Sequence, residues 1–188
     1  MSLQYGLLGL LNYSDMTGYE LDKTFQDSLS HFWRGQRSQI YRELNKMEEM
    51  GWLSSRIHFQ EDKPNQRIYS ITEKGKEALA AWLDPEAELE FSPMRNEMLM
   101  HVFFSGQNKI EDNIRWLKRV EQRYLEQYKS LQDMEKVIHS YSCEVNTDMD
   151  SMYWMLTGKY GLAYNQMHLE WVRNSIAELE QYLEQEKE

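Results

Sequence analysis

The stretch Phe32-Trp33-Arg34-Gly35-Gln36-Arg37-Ser38-Gln39-Ile40-Tyr41-Arg42-Glu43-Leu44 opens the helix around which the rest of the chain is organised. Its apolar side chains recur at three- and four-residue steps, a period that predicts an amphipathic helix facing a core. These apolar positions are Ile40, Leu44, Met47 and Met50. The front of the helix instead carries cationic and hydrogen-bonding side chains. Such a helix can be anchored from behind while its front end enters a DNA major groove.

Two helices are predicted before this one. Residues 3–13 form a mostly buried apolar segment, and the run Thr17-Gly18-Tyr19-Glu20 has the pattern of a capping box. The second helix therefore begins after Thr17 and extends to about Leu29. The third is predicted from about Gln36 to Met50, because Gly51 is a typical residue just past a helix end.

A β-hairpin is predicted after the three helices. Residues 53–59 and 67–71 have strand character, and the polar segment 61–66, which contains Pro64, separates them. Thr72 then caps a fourth helix that runs to about Leu83. Three helices followed by a hairpin is the order of a winged helix-turn-helix, so residues 1–83 are predicted to be a DNA-binding domain of that type.

The second half of the chain is predicted to be entirely helical. Residues 84–92 form an acidic linker, and residues 93–188 form a dimerisation domain that begins with a helix at Pro93. Seven-residue spacing in the last helix, about 148–186, is typical of coiled-coil packing. The residues predicted to hold two copies together are Leu162, Leu169, Trp171, Ile176, Leu179 and Leu183. The predicted fold class is mainly α with one small β-hairpin.

Composition excludes several classes of protein. The net charge is −10, yet residues 1–83 hold ten Lys and Arg against eleven Asp and Glu, whereas residues 84–188 hold eleven against twenty. A near-neutral first half can bind phosphates if its cations cluster. One cysteine, five scattered histidines and the absence of nucleotide-binding or hydrolase motifs indicate no metal site, no cofactor and no enzyme. No apolar run is long enough to span a bilayer, and we expect a cytoplasmic protein.

The ordered motifs of the first half resemble those of the PadR family of bacterial transcriptional regulators. They include Leu7-Leu8-Gly9-Leu10-Leu11, Thr17-Gly18-Tyr19-Glu20-Leu21, Phe32-Trp33, Ser38-Gln39-Ile40-Tyr41-Arg42-Glu43-Leu44 and Arg67-Ile68-Tyr69-Ser70-Ile71-Thr72-Glu73-Lys74-Gly75. The helical second half is similar to the larger subgroup, which carries a virulence-activator-like domain. The resemblance implies a winged helix, a helical dimerisation domain, a homodimer and control of transcription, usually repression.

Within that frame, nine residues are predicted to contact DNA, as phosphate ligands, base ligands or wing-tip contacts. They are Arg34, Arg37, Ser38, Gln39, Tyr41, Arg42, Lys63, Asn65 and Arg67. The alternatives are a solvated helix face for the arginines, helix capping for Ser38, packing for Tyr41 and a solubilising hairpin for the wing. Trp33, Trp52, Tyr69 and Trp82 are predicted to be core residues.

The function predicted is a sequence-specific transcriptional regulator that binds a pseudo-palindromic operator as a homodimer. A two-fold dimer places its recognition helices about one DNA turn, roughly 34 Å, apart. We expect a repressor. Aromatic walls suit flat apolar ligands, so a small effector is one interpretation of the aromatic residues in the second half, and a plain core or interface is the other. The alternative is a protein-interaction module that uses its winged helix and long amphipathic helices without binding DNA.

Overall fold

The computed structural model describes residues 2–30, 32–33, 35–59, 65–86, 95–134, 136–139 and 148–185. The chain divides into two compact units, Met1–Phe91 and Ser92–Glu188. Most of the predicted linker, residues 87–92, lies outside the described residues. None of the described helices combines the length and the hydropathy that crossing a bilayer requires.

Four helices and a small sheet form the first unit. The helices are α1 (Ser2–Tyr13), α2 (Gly18–Ser28), α3 (Arg37–Glu49) and α4 (Glu73–Trp82). The predicted capping box starts α2, because the Thr17 hydroxyl accepts from the Glu20 amide at 3.2 Å and the Thr17 amide donates to the Glu20 carboxylate at 2.8 Å. The same carboxylate also accepts from the Thr17 hydroxyl at 2.8 Å, and the two bonds that it accepts from Thr17 hold the pKa of Glu20 below its usual value. Gly51, with a φ of 72°, follows α3 as predicted.

The sheet has one strand more than the predicted hairpin. Its strands are β1 (Met16–Thr17), β2 (Leu53–His58) and β3 (Gln66–Ile71), in the antiparallel order β1-β3-β2. The hairpin pairs Ser55 with Tyr69 and His58 with Gln66. The extra strand, β1, pairs Met16 with Tyr69. Two residues are too few to show an alternating pattern in the sequence, which is why β1 was not predicted.

One hydrophobic cluster holds the first unit together. Its fully buried members, which come from α1, α2 and α3, are Leu7, Leu8, Leu21, Ile40, Leu44 and Met47. Tyr69 is buried in it and Trp52 packs against it, as predicted. The prediction of a core position was wrong for Trp33 and Trp82, which are 40% and 48% exposed. Trp82 instead stacks on Tyr5, with ring centroids 4.9 Å apart, because it occupies the last turn of α4 at the edge of the cluster.

The regular elements described in the second unit are all helical. It contains α5 (Glu97–Phe104), a single 3-10 turn (Ser105–Gln107), α6 (Ile110–Gln132) and α7 (Asp148–Gln185). The predicted start of α5 at Pro93 was wrong, since Arg95 precedes the helix and the Asn96 side chain caps it by accepting from the Leu99 amide at 3.1 Å. This architecture, a winged helix followed by helices, confirms the predicted fold class.

Helices α6 and α7 pack along each other in the second unit. Their shared cluster consists of Ile114, Leu117, Val172 and Ile176. Two ion pairs flank it, Lys118 to Glu180 at 2.8 Å and Arg173 to Glu121 at 2.6 Å. The apolar side of α6 therefore meets one side of α7 within a single chain.

Candidate nucleic-acid interface

Helix α3 has a buried side and an exposed side. Ile40, Leu44 and Met47 are all 0% exposed, so the helix is anchored from behind. On the opposite side, Ser38, Arg42 and Asn45 follow one another at four- and three-residue steps and are exposed. The front of α3 is thus presented to solvent with polar side chains, as a groove-binding helix requires.

Arg37, the first residue of α3, is held by an acidic residue of α2. Its Nε donates to Oδ2 of Asp22 at 2.7 Å, and this bond raises the pKa of Arg37 above its usual value. The Asp22 side chain is only 7% exposed, whereas that of Arg37 is 65% exposed. The guanidinium also lies 5.9 Å from the centre of the Tyr19 ring. Arg37 is therefore both accessible and fixed in direction.

Gln36, not Ser38, stands at the N-terminal cap of α3. The backbone amide of Gln36 donates to the Gln39 side-chain oxygen at 3.3 Å, which occupies part of the hydrogen-bonding capacity of Gln39. Ser38 is exposed in the first turn. The capping role considered for Ser38 was therefore wrong, because Gln36 occupies the cap position.

Arg42 and Tyr41 differ in their contacts with the rest of the first unit. In the described part of the chain no carboxylate lies within ion-pair distance of Arg42, which is exposed. Tyr41 is 39% exposed, and its ring lies so close to Gly18 that an added Cβ there would stand 2.6 Å from the ring. Tyr41 thus packs on the start of α2 and keeps an exposed edge beside Arg37.

The hairpin arginine is tied to α3. Arg67 donates through Nε to the Ser55 hydroxyl at 2.8 Å and through Nη2 to Glu48 of α3. Ser55 also donates to Glu48, at 2.6 Å. Arg67 is the second residue of β3, close to the strand start that the sequence predicts after the wing turn. Its contact with DNA stays a prediction.

The remaining predicted contacts are less completely described. Arg34 and Lys63 lie outside the described residues. Asn65 is exposed just before β3. The sequence reasoning missed Asn45 and Asp22. The helical spacing from Ser38 and Arg42 could have indicated Asn45, whereas a carboxylate in α2 gives no sign that it turns toward α3.

The predicted dimer residues lie mostly against their own chain. Ile176 belongs to the cluster shared with α6, Trp171 and Leu179 pack on it, and Leu169 is 6% exposed. Leu162 and Leu183 are half-buried. Ile176, Trp171 and Leu179 meet α6, because one helix of the same chain can cover a heptad stripe as well as a partner helix can. Any contact with a second copy stays a prediction.

A second apolar stripe runs along the other side of α7. Its members recur at three- and four-residue steps and are between 41% and 66% exposed. They are Met149, Met152, Tyr153, Leu156, Tyr160, Tyr164 and Met167. Helix α5 also exposes Met100, Phe103 and Phe104. A surface this rich in large apolar side chains is unusual for a chain that works alone.

Two models of known protein families match the chain, one in each half. Residues 7–81 match the transcriptional regulator PadR-like family, and residues 94–180 match the virulence activator alpha C-terminal domain. The negative transcriptional regulator PadR of Bacillus subtilis is 31% identical over 102 residues, 54% of this chain and 56% of that protein. The matching region spans about half the length of the curated relatives that the chain matches.

Two solved structures are similar over nearly the whole chain. The Bacillus subtilis PadR structure in complex with operator DNA has a TM-score of 0.77 at 22% identity, covering 95% of this chain and 99% of that one. The Vibrio cholerae virulence activator AphA has a TM-score of 0.73 at 26% identity, covering 96% and 99%. The first of these likenesses establishes the fold alone.

Proposed function

Since the chain belongs to the PadR-like family of transcriptional regulators and ends in a virulence-activator-type domain, we propose that it binds a pseudo-palindromic operator as a homodimer. As members of this family regulate transcription, the prediction that the chain is not an enzyme is confirmed. In the proposed complex with DNA, α3 is the recognition helix. Binding takes place in the cytoplasm and blocks transcription of the regulated gene.

The observation that carries the proposal is the two-sided character of α3. Three fully buried apolar residues fix the helix, while Ser38 and Arg42 are exposed on its outward side and Arg37 is exposed at its N-terminal end. No acidic residue stands in its first turn, so the positive end of the helix dipole adds to the arginine charges. Tyr41 and Asn65 are proposed as flanking contacts. Arg34 and Lys63 remain proposed contacts on sequence grounds alone.

The second copy is proposed to dock on the apolar stripe of α7 and on α5. That surface would otherwise leave seven large side chains of α7 in water. A two-fold dimer presents two α3 helices to one duplex, so the operator should carry two related half-sites about one helical turn apart. Of the residues first predicted for this role, Trp171, Ile176 and Leu179 serve the proposal by fixing α7 on α6.

The test begins with DNA recovered by crosslinking the protein in its own cells and sequencing the bound fragments. Binding of the recovered duplex is then followed by fluorescence anisotropy over a series of salt concentrations. Arg42→Ala should weaken binding about tenfold, which corresponds to roughly 1.4 kcal/mol, and flatten the salt dependence by about one ion. The matched control is Arg119→Ala, which removes an exposed arginine of α6.

An isotherm that Arg42→Ala and salt leave unchanged would rule out this use of α3. The alternative function, a protein-interaction module, then becomes the better account, and a pull-down in which Arg42→Ala abolishes capture of one stoichiometric protein partner would support it. The recovered sequences also test the operator, because a half-site without its inverted repeat contradicts two-fold binding.

The sign of regulation is proposed as repression. The curated relative from Bacillus subtilis is a negative regulator, whereas AphA is a virulence activator, so relatives of both signs exist. A transcript measurement after deletion of the gene decides between them for any operator recovered above. A rise in the neighbouring transcript supports repression.

A small effector is proposed to bind a groove of about 760 Å³ in the second unit. Trp116, Leu117 and Leu179 supply its apolar wall, and Asn113 and Glu178 supply polar groups. An aromatic ligand with a hydrogen-bond donor suits that lining. Such ligands should quench tryptophan fluorescence in the unmodified chain, less so in Trp116→Phe, and shift the DNA isotherm. Ligands that bind without changing the isotherm would contradict effector control.

A further inference from the structure

Asp22 is an acidic residue on the side of the molecule that is proposed to face DNA. It is 5% exposed, and one of its oxygens, Oδ1, has no hydrogen-bond partner among the described residues. Burying a carboxylate that is incompletely paired lowers stability. Its other oxygen accepts from Arg37 Nε at 2.7 Å. Because Asp22 is unfavourable for stability, we look for a role of this residue beyond the packing of α2.

The position of Arg37 is also unfavourable for the stability of α3. It stands at the first position of α3, where the helix dipole disfavours a positive charge, and no acidic residue of that turn compensates it. Its compensation comes from another helix, through Asp22. The Tyr19 ring, at 5.9 Å, lies against the same guanidinium. The arginine is therefore clamped between two side chains of α2.

The clamp uses only one edge of the guanidinium. With Nε bonded to Asp22, Nη1 and Nη2 keep their N–H groups, and the side chain is 65% exposed. Those donors form a fork that matches two oxygens of one phosphate. A fork held in advance loses less rotamer freedom when it binds than a free arginine does.

We propose that Asp22 is a positioning residue, which holds Arg37 so that its free edge clamps a phosphate of the DNA backbone. The inference rests on the proposed DNA-binding function and adds to it a residue that does not itself touch the duplex. A phosphate rather than a base edge is assigned because Arg37 leans back onto α2 instead of lying with Ser38 and Arg42 on the outward side of α3.

For the loss of the Asp22 charge, the proposal predicts a change in DNA affinity opposite to the one that simple charge repulsion predicts. Removing a negative charge from a DNA-facing surface should strengthen binding if the charge acts only by repelling phosphates. If Asp22 acts through Arg37, its removal weakens binding instead. Asp22→Asn is the informative change, because the amide has the same shape and its nitrogen can replace the unpartnered oxygen. The matched control is Asp27→Asn, at an exposed aspartate of the same helix.

Binding is measured by anisotropy on the full chain with a mixed-sequence duplex long enough for two half-sites, over a salt series. Since a phosphate contact is independent of sequence, this probe reports it directly. Arg37→Ala should weaken binding about tenfold and reduce the salt slope by about one. Asp22→Asn should weaken binding at least about threefold, whereas Asp27→Asn should leave it unchanged or slightly tighter.

The double variant separates positioning from a general effect on the fold. In the Arg37→Ala background Asp22→Asn should have no further effect on binding, because the residue through which it acts is gone. Arg37→Lys keeps the charge without the fork, so it should bind more weakly than arginine and be insensitive to Asp22→Asn. This last comparison leaves the fold intact, since Arg37 is exposed.

Equal or tighter binding by Asp22→Asn would overturn the inference, as would the same fold-loss with and without Arg37. The proposed function fails separately: it fails if the unmodified chain binds no duplex at any salt concentration, and the inference then fails with it. Binding by the unmodified chain that is indifferent to Asp22 removes the inference alone.

Discussion

Gly75 shows at the scale of one residue how closely the winged helix is packed. A Cβ at this position would lie 2.3 Å from the Trp52 carbonyl oxygen and 2.8 Å from the Ile71 side chain. The carbonyl cannot move aside freely, because it accepts the Thr72 amide at 3.0 Å. The first turn of α4 can sit against the residues that lead into β2 only because position 75 has no side chain.

Gly75→Ala should therefore lower the free energy of unfolding by about 1–3 kcal/mol. The midpoint of denaturant unfolding, followed by circular dichroism, measures the change. Gly9→Ala is the control, because nothing lies within 4 Å of a Cβ at Gly9 and alanine is the better helix residue. It should raise stability by up to about 1 kcal/mol. Unfolding midpoints unchanged by Gly75→Ala would contradict the close contact.

Single residues also mark where sequence reasoning stops. The exposure of Ser38 and Arg42 followed from their spacing against Ile40 and Leu44. The pairing of Arg37 with Asp22 did not, because the two are 15 residues apart and their meeting depends on how α2 crosses α3. The bond from Arg67 to Glu48 was not predicted for the same reason, since Glu48 lies 19 residues away on α3.

At the scale of elements, local signals predicted helix boundaries well. The capping box at Thr17 placed the start of α2, and Gly51 placed the end of α3, within a residue or two. Those signals work because each depends on a few neighbouring residues. β1 gave no such signal, because it is a strand only by virtue of pairing with β3.

Helix α7 has two apolar sides, and the sequence did not indicate which of them faces the same chain. Leu169, Val172 and Ile176 are buried, whereas Leu156 and Tyr160 are 52% and 64% exposed. A heptad repeat identifies a side that packs, but it does not identify the partner. The fold answers this for one side, through α6, and leaves the other for the proposed second copy.

Tyr160→Glu should separate the proposed dimer, because it places a charge in the middle of the exposed stripe of α7. The molar mass in solution, measured by light scattering, is expected to fall to that of one chain, while the helical content stays the same. Gln166→Glu adds the same charge to an exposed position of α7 outside the stripe and should leave the mass unchanged. A single-chain mass for the unmodified protein would refute the dimer itself.

At the scale of the whole molecule, the distribution of charge matters more than its sum. The net charge of −10 comes mainly from residues 84–188, whereas residues 1–83 are nearly neutral. A duplex that approaches the second half therefore meets repulsion on average. Composition alone would have argued against a protein that binds nucleic acid. The ordered motifs of the first half instead indicated the PadR-like family, which the family match over residues 7–81 supports.

The exposed apolar stripe on α7 makes the stability of the proposed dimer depend on how much of the protein the cell contains. In the proposed dimer, folding of the second half includes an association step, so its stability grows with the logarithm of the chain concentration. Operator occupancy then depends on the square of the copy number when copies are scarce. Halving the dose of the gene would then lower operator occupancy about fourfold rather than twofold.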